Sequence, residues 1–250
     1  MTDHILDYWS SQAQKHGTNF SASWGDKYAI QLEIETIGKH LTEGDDVLDV
    51  GCANGYSLIK QLESNPASLT GVDFSETMIA EAEKNRSACG SPERFTFKVG
   101  DVRKLPFKDC SFDVVYTTRT LINLPTWKEQ MEGIKECIRV CRSGGHILLS
   151  EAFWEPLVSL NAIRAVINLP PLVEHDFNRY LKKPRLHQFL EGEGIDFRTI
   201  DFSAIYYLGT RFIRELITNA DLCGFYSPIN ELFFQLETDY SAEGFGIQQV

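Results

Sequence analysis

The sequence predicts an α/β protein built on an open parallel β-sheet. Short, valine-rich apolar runs alternate with amphipathic segments of about ten to fifteen residues, which is the pattern of strands joined by helices. The length of 250 residues suits one sizeable α/β domain, or one domain with a cap, better than two independent domains. With 43% hydrophobic and 12% aromatic residues, the chain can bury a substantial core and is unlike a disordered protein.

The chain begins with a region, residues 1–40, that is predicted to be helical. Ile30, Ile34, Ile37 and Leu41 recur at three- and four-residue spacing, which places them on one face of a helix. A parallel sheet with right-handed crossovers is predicted to follow. Its five strands are expected in "DVLDVG", "SLTGVDF", "RFTFKVGD", "SFDVVYTT" and "HILLSEAF". The helices between them are expected in "GYSLIKQLESN", in "ETMIAEAEKNRSA" with Ser75 as N-cap, and in "TWKEQMEGIKECIRV", which Ser143, Gly144 and Gly145 should end.

The pattern loosens after the fifth strand. Four prolines interrupt short helical pieces in residues 154–194, which favours an inserted helical cap over a linker. Beyond the cap, "FRTIDFSAIYYL" is predicted to be a strand and "TRFIRELITNA" a helix, and "FGIQQV" is a possible short final strand.

Charge and composition exclude several classes of function. Lysine and arginine total 24 against 35 acidic residues, and the net charge of -11 repels polyanions, so no nucleic-acid partner is expected. The start, "MTDHILDYWSSQ", lacks the pattern of a signal peptide, and no apolar run approaches the roughly 18 residues of a membrane span. Six scattered cysteines form no C-x-x-C pair, which favours reduced thiols, a cytoplasmic location and no metal site.

Chemistry-bearing residues lie where the predicted strands end. The first strand runs into Asp49 and a loop containing Gly51 and Gly55, the second ends at Asp73, and the third ends at Asp101. Ligands of open parallel sheets bind beyond such carboxyl ends, and Asp73 lies where a carboxylate can accept the hydroxyls of a ribose. Taken singly, the glycines could serve only a tight turn and the aspartates could cap helices.

The loop "GCANG" indicates which nucleotide is bound. It lacks the G-x-G-x-x-G spacing of dinucleotide sites, and the chain has no phosphate-binding G-x-x-x-x-G-K-[ST]. Asp49 would be a poor neighbour for a pyrophosphate. It suits a ligand that carries positive charge, such as an ammonium and a sulfonium.

The stretches "VLDVGCANG", "GVDFS", "VGDVRKLPFKDCSFDVVYTT" and "VCRSGGHILLSE" resemble the successive motifs of class I S-adenosylmethionine (SAM)-dependent methyltransferases. The resemblance implies a Rossmann-like, doubly wound sheet of seven strands, the last antiparallel, that binds SAM and releases S-adenosylhomocysteine. The predicted organisation is therefore an N-terminal helical lid (1–44), a SAM-binding core (45–153), a helical cap for the substrate (154–194) and a C-terminal completion of the sheet (195–250).

The resemblance also assigns roles to residues. The methionine end of SAM would lie on Asp49, Gly51 and Ala53, with Gly55 allowing close approach of the next helix. The ribose and adenine would contact Asp73, Phe74, Asp101 and Val102, and the sulfonium would contact Tyr116, Thr117 and Thr118. Two departures stand out: alanine at 53 replaces a usual glycine and fits only if its φ is negative, and no histidine stands near Asn123.

The predicted reaction is methyl transfer to a small molecule, at a hydroxyl of a sugar or natural product in preference to an amine. Arg119, Glu151 and His175 are the candidate catalytic residues, although each could equally serve structure: an ion pair for Arg119, the orientation of a neighbour for Glu151, a loop or helix cap for His175. The alternatives are N-methylation of a small amine or peptide, a SAM-fold protein without transfer activity, and a nicotinamide-dependent oxidoreductase. The sequence leaves the acceptor and the oligomeric state open.

Overall fold

The computed structural model describes residues 3–217 and 224–249. The chain divides into two compact units, Met1–Leu149 and Ser150–Val250. The first unit contains all of the predicted N-terminal helices and most of the predicted sheet. The finer division into lid, core, cap and C-terminal completion stays a prediction.

The first unit follows the predicted order of elements. Its helices are α1 (Asp3–His16), α2 (Lys27–Gly38), α3 (Tyr56–Lys60), α4 (Glu76–Ala88) and α5 (Trp127–Val140). Its strands are β1 (Asp46–Val50), β2 (Ser68–Asp73), β3 (Phe95–Val99), β4 (Phe112–Thr118) and β5 (Cys141–Ala152), the last of which continues into the second unit. One boundary differs from the prediction, because β5 begins directly after α5 and not after Gly145.

The strands form a sheet in the order β3-β2-β1-β4-β5-β6, where β6 is Gln248–Gln249. Strand β1 is parallel to both β2 and β4, and β2 is parallel to β3. The chain order therefore reverses between β1 and β4, which is where ligands bind in doubly wound sheets. In this register Asp49 lies opposite Tyr116 on one side and Gly71 on the other.

The central strands are continuous apolar runs because helices cover both faces of a parallel sheet. Val47, Leu48, Leu69 and Val115 are each fully buried, and together they place the core of this unit in the middle of the sheet. Asp49 and Asp73 stand at or next to the carboxyl ends of β1 and β2. Helix α4 then begins at its predicted cap, where Ser75 Oγ accepts a hydrogen bond of 3.3 Å from the Met78 amide.

The second unit is mainly helical. Its elements are α6 (Trp154–Val166), α7 (Lys183–Gly192), α8 (Ala204–Leu208), a π-helical turn (Gly209–Ile213), α9 (Arg214–Ile217), α10 (Pro228–Asp239) and β6. The predicted short final strand is confirmed as β6, which pairs antiparallel with the end of β5. The predicted helix "TRFIRELITNA" is helical as far as Ile217, and its last three residues lie outside the described part. Across the described residues, no helix has the length and apolar character that crossing a membrane requires.

The described residues contain six strands, so the prediction of seven is not confirmed. The missing strand is "FRTIDFSAIYYL", in which Asp201 makes only an isolated bridge and Ala204–Leu208 is helical. Tertiary contacts override the β-forming residue types here. The Glu237 carboxylate of α10 accepts a hydrogen bond of 2.7 Å from the Tyr206 amide in the first turn of α8, and Gly209 lets α10 approach so closely that any side chain there would strike Phe233.

Candidate active site

A pocket lies in the first unit where the strand order reverses. Its wall is formed by residues of helix α1, of the loops after β1, β2 and β4, and of the start of α4. The lining residues are Trp9, Ser23, Gly51, Ala53, Asp73, Phe74, Met78, Thr118, Arg119, Thr120 and Asn123. The empty volume is about 490 Å³ when the space open to solvent is counted. The predicted cofactor residues Gly51, Ala53, Asp73, Phe74 and Thr118 thus meet at one place.

The loop after β1 requires both of its predicted glycines. Gly51 has φ +83°, and a Cβ there would collide with the Thr120 side chain of the loop after β4. Gly55 has φ +73°, and a Cβ there would lie 2.7 Å from the Phe97 ring. The two glycines therefore allow the loop to pack directly against Thr120 and Phe97, with backbone conformations that other residues rarely adopt.

Ala53 adopts φ +47°, so the condition of a negative φ is not met and alanine is accommodated in a left-handed conformation. A left-handed conformation costs a residue with a Cβ roughly 1–2 kcal/mol. The Ala53 amide offsets part of this cost, because it donates a hydrogen bond of 3.0 Å to Asp73 Oδ2. The strain is therefore linked to the placement of a carboxylate in the pocket wall.

Asp49 is buried without full hydrogen bonding. It is 2% exposed, and its Oδ1 has no hydrogen-bond partner. Burial raises the pKa of this carboxyl to about 8, and the charges of Asp73 and Glu33 add to the rise. Tyr116 lies opposite Asp49 and Arg119 lies nearby, and both oppose part of this rise in pKa. Even so, neither Asp49 Oδ1 nor the Tyr116 hydroxyl has a partner in hydrogen-bond geometry. A cation bound here would satisfy the open oxygen.

Asp73 is held more firmly. Its Oδ1 accepts a hydrogen bond of 2.9 Å from the Ser75 amide, and its Oδ2 accepts the bond from Ala53. Burial raises the pKa of this carboxyl to about 6, while the two amides oppose the rise. The carboxylate therefore has a fixed orientation and keeps further lone pairs for a ligand.

Arg119 lines the pocket as part of an ion pair. Its guanidinium lies 3.3 Å from the Glu33 carboxylate, and its Cζ lies 4.9 Å from the centre of the Trp24 ring. The backbone at Arg119 is left-handed, with φ +53°, and its carbonyl accepts a hydrogen bond of 2.7 Å from Asn123 Nδ2. The amide oxygen of Asn123 has no partner.

Sequence reasoning missed Glu33. This glutamate of helix α2 is 1% exposed, and it adds a third carboxyl to Asp49 and Asp73. The signal was present, because Glu33 lies three residues after Ile30 on the face that also carries Ile37. Despite this concentration of acids, no group of three or more histidine, cysteine, aspartate and glutamate side chains suited to a metal occurs in the described residues.

The other predicted residues are less directly placed. Asp101 Oδ1 accepts hydrogen bonds from the Arg103 amide at 2.9 Å and from Arg103 Nε at 3.0 Å, and Oδ2 lies 2.5 Å from Arg103 Nη2. Burial would raise the pKa of Asp101, but the Arg103 guanidinium outweighs it and holds the pKa below its usual value. Asp101 and Val102 are not among the pocket-lining residues, and their contacts with adenine stay predictions.

Tyr116 and Thr117 are fully buried, so only Thr118 of the three predicted sulfonium neighbours lines the pocket. Glu151 and His175 belong to the second unit. Glu151 is fully buried in β5, whereas His175 is exposed with its ring 4.4 Å from that of Phe177. The catalytic roles of Glu151 and His175 stay predictions.

The chain is similar to known methyltransferases. The model of the methyltransferase-domain family matches residues 47–145. A 27-O-demethylrifamycin SV methyltransferase of Amycolatopsis mediterranei is 32% identical over 46% of this chain and 42% of its own length. A ubiquinone biosynthesis O-methyltransferase of Coxiella burnetii is 27% identical over 82% of this chain and 83% of its own length. A tRNA U34 carboxymethyltransferase of Nautilia profundicola is 34% identical over 50% of this chain and 40% of its own length.

Solved structures share the fold. A SAM-dependent methyltransferase from Methanosarcina mazei has a TM-score of 0.52 and 26% identity, and the match covers 63% of this chain and 82% of that one. A magnesium protoporphyrin IX methyltransferase from Synechocystis with bound S-adenosylhomocysteine has a TM-score of 0.54 and 22% identity, covering 79% of this chain and 87% of that one. Together with the family match, these findings favour methyl transfer over the nicotinamide alternative.

Proposed function

We propose that the chain is a class I SAM-dependent methyltransferase that methylates a small molecule at a hydroxyl oxygen. The observation that carries the small-molecule part is the pocket of the first unit. Its wall combines the apolar side chains of Trp9, Phe74 and Met78 with the charged groups of Asp73 and Arg119. An apolar cleft with a few convergent polar groups suits a small organic ligand.

The residues in and beside the pocket fit SAM. Asp49 is not among the lining residues, and its open oxygen suits the ammonium of the methionine moiety, reached directly or through water. Gly51 lines the pocket where that moiety would lie, and Asp73 offers fixed acceptor oxygens to the ribose hydroxyls. Phe74 offers an apolar ring to the adenine. When bound, SAM supplies a methyl group that its sulfonium has already activated.

Catalysis then rests on positioning and on exclusion of water, because the transfer is an in-line displacement from an activated donor. Trp9, Phe74 and Met78 would keep water from the reacting groups. Arg119, whose direction is set by Glu33, would lend positive charge to an acceptor oxygen as it loses its proton.

The choice of acceptor follows from the few ionisable groups in the pocket wall. Among the lining residues only Asp73 and Arg119 are ionisable, and Asn123 cannot take up a proton. An acidic hydroxyl, such as a phenol with a pKa of about 10, needs the least help from a base. Glu151 and His175 remain the proposed candidates for a base that would extend the range to less acidic alcohols.

The names of two curated relatives support oxygen as the acceptor atom, since both specify O-methyl transfer. An RNA acceptor is the second candidate, because one relative is named for tRNA U34. The net charge of -11 weighs against it. Amines and peptides form the third class of acceptor to be tested.

The test is transfer of a labelled methyl group from SAM to four acceptor panels: phenols and enols, sugar and aliphatic alcohols, amines and basic peptides, and unmodified tRNA. We expect turnover with phenolic hydroxyls. Turnover confined to amines or to tRNA would refute oxygen as the acceptor atom or the small molecule as the substrate class, respectively.

A further inference from the structure

Asn54 lies in the middle of the loop after β1, between the left-handed residues Ala53 and Gly55. It is only 1% exposed, and its side chain points to backbone groups of the N-terminal segment. Asn54 Nδ2 donates hydrogen bonds of 2.8 Å to both the Gly17 and the Asn19 carbonyl oxygens. Two carbonyl acceptors fix the orientation of the amide, since a reversed amide would set its oxygen against theirs.

The carbonyls bound by Asn54 belong to the turn that ends helix α1. Gly17 has φ +56°, and its amide closes the helix with a bond of 2.8 Å to the Ala13 carbonyl. A second asparagine braces the same turn, because Asn85 Nδ2 of α4 donates to the Thr18 carbonyl at 3.1 Å and to the Asn54 carbonyl at 2.9 Å. Three successive carbonyls of the turn are thus held by two side chains, and the main link runs to the cofactor loop.

Helix α1 supplies Trp9 to the pocket wall. Trp9 and Ala53 pack against the same small cluster of Ala13, Ala22 and Met78. A further polar contact, of 3.3 Å between the hydroxyls of Ser10 in α1 and Ser75 at the N-cap of α4, lies one residue along from Trp9. The position of Trp9 therefore depends on how firmly the end of α1 is held.

We propose that Asn54 is a positioning residue that holds Trp9 in the wall of the cofactor pocket by pinning the turn after α1. The loop after β1, which would receive the methionine end of SAM, then also determines where Trp9 closes the pocket. The inference rests on the cofactor pocket of the proposed function and is independent of the identity of the methyl acceptor. Its effect is expected first on retention of the cofactor, which binding measures without any acceptor.

The test combines calorimetric binding of S-adenosylhomocysteine with hydrogen exchange of residues 5–24, in the full-length protein. Asn54→Ala should weaken binding roughly tenfold, the effect of losing about one strong buried hydrogen-bonded link, and should accelerate exchange at the end of α1. Trp9→Ala should also weaken binding. In the Trp9→Ala background, adding Asn54→Ala should change the affinity less than about twofold, because the residue it positions is gone.

Two further variants keep the inference falsifiable. Asn54→Thr, which retains one donor, takes the place of Asn54→Ala if the alanine variant folds poorly. It should retain part of the wild-type affinity. Asn161→Ala is the matched control, since Asn161 of the second unit also bridges backbone groups, at 2.8 Å to both the amide and the carbonyl of Leu172. It should leave both binding and exchange of α1 unchanged.

The outcomes are separable. If Asn54→Ala weakens binding equally with and without Trp9, Asn54 acts on the loop itself. If affinity is unchanged while exchange is faster, the link is purely structural. Either outcome overturns the inference. Wild-type protein that fails to bind S-adenosylhomocysteine would overturn the cofactor pocket as well. A failed acceptor panel would affect neither measurement.

Discussion

The aspartates at the ends of β1 and β3 have opposite surroundings. Asp49 is 2% exposed, has an oxygen without a partner and has its pKa raised to about 8, chiefly by burial. The Asp101 side chain is 34% exposed, both its oxygens face Arg103, and its pKa is lowered. Asp49 therefore has hydrogen-bonding capacity that the protein does not fill, whereas Asp101 already has a counter-ion in Arg103.

This difference separates a ligand group from a supporting one. A buried carboxyl with an open oxygen gains most when a cation arrives, because the cation satisfies both its charge and its hydrogen bonding. A carboxylate that is already paired with a guanidinium has less to gain. Asp73 lies between the two cases, since two backbone amides hold it and no ion pair joins it to a basic side chain of the described residues.

The largest effect is expected from Asp49→Asn. Loss of a charged acceptor for the ammonium of SAM should weaken cofactor binding roughly 10- to 150-fold, or about 1.5–3 kcal/mol. Thermal stability of the free protein should rise, because a buried acid with an open oxygen is removed. Calorimetry measures the affinity, and thermal unfolding measures the stability. If the variant binds the cofactor normally, Asp49 is not a ligand group for the ammonium and its contrast with Asp101 has no functional meaning.

The second effect is a pH dependence of cofactor affinity. In the free protein Asp49 keeps its proton up to a pH of about 8, and a bound cation favours the ionised form. Affinity should therefore rise roughly 10- to 50-fold between about pH 6 and pH 8, with release of a proton. Over the range from about pH 4 to 8, where the unfolded chain has lost this proton, the free protein should become less stable as the pH rises.

Calorimetry in buffers of different ionisation enthalpy detects the released proton directly. In Asp49→Asn both the rise in affinity and most of the proton release should disappear. A residual proton from Asp73, whose pKa is raised to about 6, would show only at the acid end of this range. An unchanged pH profile in the variant would assign the titration to another group.

The contrast also explains what the sequence could and could not predict. The positions of Asp49, Asp73 and Asp101 at strand ends followed from apolar runs bounded by polar residues, because a parallel sheet buries its strands on both faces. The environment of each acid did not follow, since Glu33 reaches its neighbours by tertiary placement. Arg103 is only two residues from Asp101, but it also pairs with Glu129 of α5, which the local sequence does not specify. The same cause defeated the predicted strand "FRTIDFSAIYYL", where Glu237 caps a helix that the local sequence does not favour.

Ala53 shows a limit of another kind. The residue type pointed to negative φ, but the bonds around it force a left-handed turn. Intrinsic preference of one residue, worth roughly 1–2 kcal/mol, is small beside a hydrogen bond to a buried carboxylate together with the packing of a whole loop.

The third effect tests whether the strain at Ala53 is tied to the placement of Asp73, the acid between the two extremes. Ala53→Gly should raise the free energy of unfolding by about 0.5–1 kcal/mol, because relief of the left-handed strain exceeds the added entropy of the unfolded chain. Cofactor affinity should stay within about twofold, since the amide that binds Asp73 is retained. Ala82→Gly, inside helix α4, is the control and should lower stability by a similar amount. A loss of stability in Ala53→Gly would mean that the methyl group packs more than its strain costs.

The smallest effect is expected from Asp101→Asn. Loss of the proposed contact with the adenine amino group should weaken cofactor binding only about two- to fivefold, because both oxygens of Asp101 are already bound to Arg103. Unfolding free energy should fall by no more than about 1 kcal/mol, as is usual for a half-exposed ion pair. Asp109→Asn is the matched control, since Asp109 pairs with Arg139 at 2.8 Å with its side chain 74% exposed, and it should leave cofactor affinity unchanged. If Asp101→Asn instead weakened binding as strongly as Asp49→Asn, the ion pair with Arg103 would be orienting Asp101 for adenine, and the division into ligand and supporting acids would fail.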